Sequence, residues 1–245
     1  MSESALYDKI GINYANLRKP DSRIAATINA ALDTAKTVLN VGAGAGSYEP
    51  ENRVVTALEP SLEMIRQRSG STAHVVQGSA EHLPFDDRSF DAAMAVLTIH
   101  HWTDQTNGVA EMQRVARDKL VFLTFDPAFH SFWLADYFPA LITMDEAQMP
   151  QISDYQRWLG SIEVTAVPIP QDCTDGFLAG YWKRPQAYLD DRVRAAMSSF
   201  WALDNVEQGL EDLRSDLQSG AWNKKYAHLQ ELEELDCGYR LIVAG

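Results

Sequence analysis

The sequence predicts an α/β fold: a mostly parallel sheet with helices on both faces and a helical insertion before the last strand. Three observations carry this expectation. Short apolar or β-branched runs alternate with helix-periodic segments from residue 22 to residue 125, several of the runs are apolar throughout, and a glycine-rich turn follows the first of them. Runs apolar on both faces suit parallel strands that are covered on both sides. Strand–helix alternation implies βαβ units with right-handed crossovers.

The elements follow in chain order. Residues 22–35 place Ile24, Ile28, Ala31 and Leu32 at helical spacing behind Pro20-Asp21, a helix start signal. Strands are expected at 37–41, 54–58, 74–77, 91–97 and 120–125, with helices at 61–68 and 104–116. The interval 47–53 contains Pro50, so the first crossover allows about one helical turn or less. Past residue 125 the alternation stops, and Phe129, Phe132, Trp133, Tyr137 and Phe138 mark partly helical covering structure. A sixth strand is expected at 162–169 and the last at 239–244. Between these two, Leu189, Val193, Ala196, Met197 and Phe200, then Val206, Leu210, Leu213 and Leu217, have helical spacing and read as core. The expected organisation is a single domain over 1–245, with an N-terminal cap (1–20), a ligand-binding core (21–126), a lid or substrate region (127–160) and a helical insertion (171–238).

Composition excludes several function classes. A 245-residue chain with 46% hydrophobic residues can bury one substantial core. Its formal charge of −13 and pI near 4.8 repel polyanions, and no Lys/Arg run makes a local exception, so nucleic acid is not expected as a partner. Cys173 and Cys237 are far apart and lack zinc-site spacing. They read as reduced, buried thiols of a cytoplasmic protein, and no metal is expected. The N-terminus lacks a signal pattern, and the longest apolar run, 92–99, is too short to span a bilayer, so no membrane association is expected.

The turn Val38-Leu-Asn-Val-Gly-Ala-Gly-Ala-Gly-Ser47 places glycines at 42, 44 and 46. A turn of this kind from strand to helix brings backbone N–H groups against a ligand without Cβ atoms to hold it away. The dinucleotide fingerprint is missed, because Ser47 occupies the sixth place, and the Gly-Lys-Ser/Thr of a P-loop is absent. The second strand ends in Glu59, seventeen residues after Gly42, where a doubly wound sheet puts an acid that accepts both ribose hydroxyls of an adenosine.

With Ala57-Leu-Glu-Pro-Ser61, Gly78-Ser-Ala-Glu-His-Leu-Pro-Phe85, Ser89-Phe-Asp91 and His100-His-Trp102, the chain over residues 37–126 resembles the class I S-adenosylmethionine-dependent methyltransferases, in the group related to ubiquinone biosynthesis. The resemblance implies a Rossmann-like seven-stranded sheet, S-adenosylmethionine as cofactor and a small-molecule methyl acceptor. It puts Gly42, Gly44 and Gly46 under the methionyl portion and Glu59 on the ribose. Ser61 and Met64 would border the adenine, Ala80 would meet its edge, and Leu97 would join the site. Members usually carry Asp where this chain has Ser79. Tyr7, Tyr14 and Arg18 resemble the family's N-terminal cap over the cofactor.

Methyl transfer is a direct displacement, so positioning and water exclusion supply most of the catalysis. A base is required only when the acceptor carries a proton. His100 and His101 follow the fourth strand and are the candidate bases; extended geometry would send them to opposite sides. Asp126 and His130 follow the fifth strand. The aromatics 129–138 build either the core of a lid or an acceptor pocket. The segments Asp172-Cys-Thr-Asp-Gly-Phe177 and Tyr181-Trp-Lys-Arg-Pro185 come near the exit of the sixth strand without a defined role. Two other classes compete: a nicotinamide-dependent oxidoreductase, disfavoured by the glycine spacing, and a noncatalytic S-adenosylmethionine-binding regulator on the same fold.

Overall fold

The computed structural model describes residues 18–245. Among the described residues nine strands run in chain order: β1 (Thr37–Val41), β2 (Val54–Glu59), β3 (His74–Gln77), β4 (Phe90–Val96), β5 (Ala116–Phe125), β6 (Glu163–Ala166), β7 (Ile169–Pro170), β8 (Glu234–Leu235) and β9 (Tyr239–Ala244). Seven of them form one sheet in the order β3-β2-β1-β4-β5-β9-β6. The first five are parallel to one another, and β9 runs antiparallel between β5 and β6. Strand order therefore reverses between β1 and β4, the switch point beside which open α/β sheets collect their ligands.

The helices among the described residues are α1 (Ser22–Ala31), α2 (Leu62–Arg66), α3 (Gln105–Val115), α4 (Ala140–Gln148), α5 (Ile152–Leu159), α6 (Asp191–Arg194), α7 (Ser198–Ala202), α8 (Glu207–Ser219) and α9 (Ala221–Lys225). Helix α1 starts where the side chain of Asp21 accepts from the Arg23 N–H. It stops short of the expected residue 35, and Asp33 turns the chain with a φ of 49°.

The sheet's two faces bury separate cores. Val38, Met94, Val121 and Leu123 point to the side covered by α1, the aromatic segment and the insertion. Leu39, Ala93, Phe122 and Ile242 point to the other side, against Val109 and Met112 of α3 and Tyr155 of α5. On the first side Trp133 packs its ring against those of Tyr137, Tyr188, Trp222 and Tyr226 at 5.2–6.0 Å and donates to the Trp182 carbonyl at 2.9 Å. Aromatics before α4 and aromatics of the insertion thus share one core. Leu213 of α8 is fully buried in it, and Leu210 and Leu217 pack against it.

The sixth strand differs from its expected single run. The chain leaves the sheet after Ala166, and Ile169-Pro170 instead pairs with Glu234-Leu235 in a separate two-stranded ribbon. Pro168 and Pro170 have no N–H to donate, so a continuous ladder through them is unavailable.

No helix joins β1 to β2. Three sets of side-chain contacts secure this short connection. Tyr48, with a φ of 62°, buries its ring in the core. The Arg53 guanidinium reaches the last turn of α1, donating to the carbonyls of Asn29 and Asp33 at 3.0 and 2.8 Å and also to that of Ala35; it supplies positive charge where the helix dipole is negative. Glu49 and Arg68 form an ion pair at 2.6 Å with both side chains 6% exposed, and Arg68 also donates to the Gly44 carbonyl at 3.1 Å. Breaking a buried pair strands one charge, at a cost of about 3–5 kcal/mol. Glu49→Ala is expected to lose stability on that scale in urea unfolding, and Glu49→Ala with Arg68→Met is expected to recover part of the loss. A double variant as unstable as the sum of two single variants contradicts the pairing.

Candidate active site

The C-terminal ends of β1, β2 and β4 open into a cavity of about 320 Å³. Gly42 and Gly44 of the glycine turn line it, and the turn's backbone has φ values of 68° at Gly42, 52° at Gly44 and 95° at Gly46. A Cβ on Gly42 would lie 2.1 Å from the Thr98 hydroxyl oxygen, so the turn and the exit of β4 approach each other only because that atom is missing. Leu97, beside Thr98, holds a φ of 52°, a backbone state that non-glycine residues adopt at a cost and that clusters at functional sites. Its N–H donates to the Leu123 carbonyl at 2.8 Å, tying the strained residue to β5.

Glu59 lines this cavity. Its carboxylate accepts from the Gly44 N–H at 2.8 Å and from the Ser61 N–H at 2.9 Å, one bond to each oxygen, and it is 7% exposed. Burial pushes its carboxyl above the usual range, and the Ser61 and Gly44 amides oppose that shift. A carboxylate has about four acceptor sites, so two remain for a vicinal diol. Ser61 itself caps α2, its hydroxyl accepting from the Met64 N–H at 3.3 Å.

Of the residues singled out from sequence, Arg18, Gly42, Gly44, Glu59, Ser61, Met64, Ser79, Ala80, Leu97 and His101 line the cavity together. Gly46 does not line it; the direction of its missing Cβ points at the Arg68 guanidinium, 3.3 Å away. Tyr7 and Tyr14 lie outside the described residues. The two histidines do not alternate, because the chain leaves β4 into a 3-10 turn over Ile99–His101. Their rings lie against one another, 3.8 Å between centroids. His101 faces the cavity, whereas His100 does not line it, and its Nδ1 is buried with no partner among the described residues. Burial, then the charges of His101 and Arg18, drives the His100 pKa well down, which keeps its imidazole neutral.

Sequence reasoning missed Asn40, Tyr48, Glu81, Thr98 and Trp102, which also line the cavity. Tyr48 carried a readable signal, since it directly follows the glycine turn where a long crossover helix was ruled out. Glu81 bridges two rim loops by accepting from the Thr103 N–H and hydroxyl at 2.8 and 2.9 Å.

Beyond β5, Phe129, His130 and Phe132 line a second, much smaller space of about 20 Å³ with Leu141, Asp145 and Tyr239. Asp126 lies outside it, 3.8 Å from the Arg240 guanidinium. Trp133 and Phe138, by contrast, are core.

The seven-stranded sheet in the order β3-β2-β1-β4-β5-β9-β6, with a glycine-rich turn after β1 and a buried acid at the end of β2, is the fold of the class I S-adenosylmethionine-dependent methyltransferases. The methyltransferase domain family matches residues 39–123. A crystal structure from Anabaena variabilis, described as a methyltransferase from an antibiotic biosynthesis pathway, is 35% identical with a TM-score of 0.87, covering 94% of this chain and 99% of that one. The chain belongs to this methyltransferase family, with S-adenosylmethionine as its cofactor. A demethylmenaquinone methyltransferase of Deinococcus radiodurans is 31% identical over 119 residues, 43% of this chain and 49% of that protein. A 2-methyl-6-phytyl-1,4-hydroquinone methyltransferase of Oryza sativa subsp. japonica is 30% identical over 133 residues, 49% of this chain and 36% of that one. The chain thus spans less than half the length of these curated relatives. Among the described residues, no helix is long and apolar enough to cross a membrane.

Two outcomes are expected. Gly42→Ala pushes a methyl group into Thr98 and forces the turn out of its positive φ, so affinity for S-adenosylhomocysteine should fall at least about tenfold by calorimetry; retention of full affinity contradicts the close approach. Asp145, on α4, is 9% exposed, and burial raises its pKa from 3.8 to about 7. Between those two values the folded state holds a proton that the unfolded state has lost, so this carboxyl's contribution to stability falls as pH rises. Asp145→Leu should therefore melt higher than the parent by several degrees at pH 8, with a smaller margin at pH 5. A pH-independent difference contradicts this reading.

Proposed function

We propose that the protein transfers the methyl group of S-adenosylmethionine to a small, largely apolar or aromatic acceptor in the cytoplasm. The observation that carries the reading is the Glu59 carboxylate, buried in the cavity yet held by the Gly44 and Ser61 amides with acceptor capacity to spare. In this reading Glu59 accepts both ribose hydroxyls, Ser61, Met64, Ser79 and Ala80 border the adenine, and Gly42 and Gly44 run beneath the methionyl chain. When bound, the cofactor would supply a methyl group on a sulfonium, open to attack at carbon by an acceptor lone pair, with S-adenosylhomocysteine leaving as the neutral thioether.

The chain's own residues then have defined tasks. The glycine turn and Glu59 fix one reactant, and the rim around Leu97, Thr98 and Trp102 keeps water from the reacting atoms. His101, at the rim, takes a proton where the acceptor is a hydroxyl or a protonated nitrogen. His100 shapes the turn that presents it, since its depressed pKa suits it poorly to holding a proton. An acidic chain supports a small acceptor over nucleic acid, and the quinol chemistry in the relatives' names points to an aromatic one. Two buried free cysteines support a reducing compartment.

A panel of small aromatic and alkyl acceptors, read by S-adenosylhomocysteine release, tests the activity. His101→Gln should lower turnover at least about tenfold with cofactor affinity unchanged, and His100→Gln should cost less. Methylation of tRNA, DNA or protein with none of small molecules would overturn the acceptor class. Equal turnover in His101→Gln and the parent would leave positioning alone as the catalyst.

A further inference from the structure

The insertion contributes Asp175, from the segment Asp172-Cys-Thr-Asp-Gly-Phe177, and nothing so far in the reaction uses it. Its carboxylate is 1% exposed. It accepts from Arg18 Nε at 2.6 Å and Arg18 Nη2 at 3.4 Å, and from the Tyr48 hydroxyl at 2.8 Å. Arg18 and Asp175 also form an isolated backbone bridge. The junction is reinforced beside it: the Asp21 carboxylate accepts from the Thr174 N–H at 3.2 Å. Gly180 allows the chain to close up, because a Cβ there would lie 2.1 Å from the Asp175 carbonyl oxygen. One buried carboxylate thus joins the N-terminal segment, the glycine turn and the insertion.

Both donors to Asp175 line the cofactor cavity, and Arg18 is the one Lys or Arg doing so among the described residues. Tyr48 follows the glycine turn after β1, and the shared bonds to Asp175 set Arg18 beside it. Ser79 and Ala80 follow β3, and the sheet order β3-β2-β1 puts Glu59, at the end of β2, between them and the turn. An adenosine on the β3 side of Glu59 would therefore direct its methionyl chain toward the glycine turn and Arg18. That chain carries a carboxylate, and a guanidinium fork held in a fixed plane matches a carboxylate.

We propose that Asp175 is a positioning residue: it orients the Arg18 guanidinium, together with Tyr48, so that Arg18 recognises the carboxylate of the cofactor's methionyl group. The inference rests on the S-adenosylmethionine reading of the cavity. It makes the insertion part of cofactor selection as well as a cover for the sheet. Removing the Asp175 carboxylate takes away the two bonds that it makes to the Arg18 guanidinium, so more of the ordering of that side chain would have to accompany binding.

The test compares S-adenosylmethionine with decarboxylated S-adenosylmethionine, which differs only at the group to be recognised, by calorimetry on the full chain. The parent protein should prefer the carboxylate-bearing form at least about tenfold, on the scale of a charge-assisted contact. Arg18→Gln should abolish that preference, and Asp175→Asn should erase most of it, each with little change in affinity for the decarboxylated form. A purely structural role for Asp175 would weaken both ligands alike and leave their ratio intact, and that result overturns the proposal. So does a parent protein with no preference. If Asp175→Asn fails to fold, Tyr48→Phe decides the matter: it should narrow the preference several-fold, and an unchanged ratio counts against the proposal. Failure of the parent to bind either ligand would instead refute the cofactor reading itself.

Discussion

The arrangement depends on one carboxylate placed where carboxylates are costly. Glu59 ends β2 with its charge buried, and it is tolerated because two backbone amides reach it, Gly44 from the turn after β1 and Ser61 from the start of α2. Burial and backbone hydrogen bonding act in opposite senses on this group. The two amides also fix the turn and the helix start relative to the strand. In the proposed function, preorganisation of the ribose-binding carboxylate comes from the same bonds that hold the switch point together. The strain at Leu97 and the bare backbone of Gly42 against Thr98 let the fourth strand's exit approach this carboxylate.

The second constraint is the missing crossover helix between β1 and β2. A helix there would cover the sheet and support the glycine turn from outside. This chain divides the work among side chains from three places. Tyr48 seals the core, Arg53 ties the connection to α1, and the Glu49–Arg68 pair supports the turn through the Gly44 carbonyl. The insertion then completes the cover through the aromatic cluster around Trp133 and through Asp175. A short connection in one place and a long insertion in another are linked physically by Tyr48, which belongs to the first and bonds to the second.

Much of this was legible in the sequence because it is local. The parallel strands are short runs whose residues must be apolar on both faces, and their expected bounds match the observed ones to within a residue at β1, β2, β3 and β4. The glycine turn and Glu59 were readable because their chemistry needs particular residue types at particular strand ends. What was not legible is long-range. Nothing around Asp175 reveals that its carboxylate meets residues 157 and 127 positions earlier in the chain. The turn at His100 and His101 was missed for a different reason: two histidines after a strand carry no signal for a 3-10 turn, and the extended alternative has the same composition. Pro168 and Pro170 did carry the break in the sixth strand, since neither can donate to a ladder, but an apolar run around them reads as continuous.

The most direct measurement is a crystal structure of the full chain with S-adenosylhomocysteine. The account predicts both ribose hydroxyls within hydrogen-bond distance of the Glu59 carboxylate, which keeps its bonds from Gly44 and Ser61, and a methionyl chain running over Gly42 toward the Arg18 end of the cavity. A ligand seated with its ribose away from Glu59, or with its chain reversed toward Ser79 and Ala80, would contradict it.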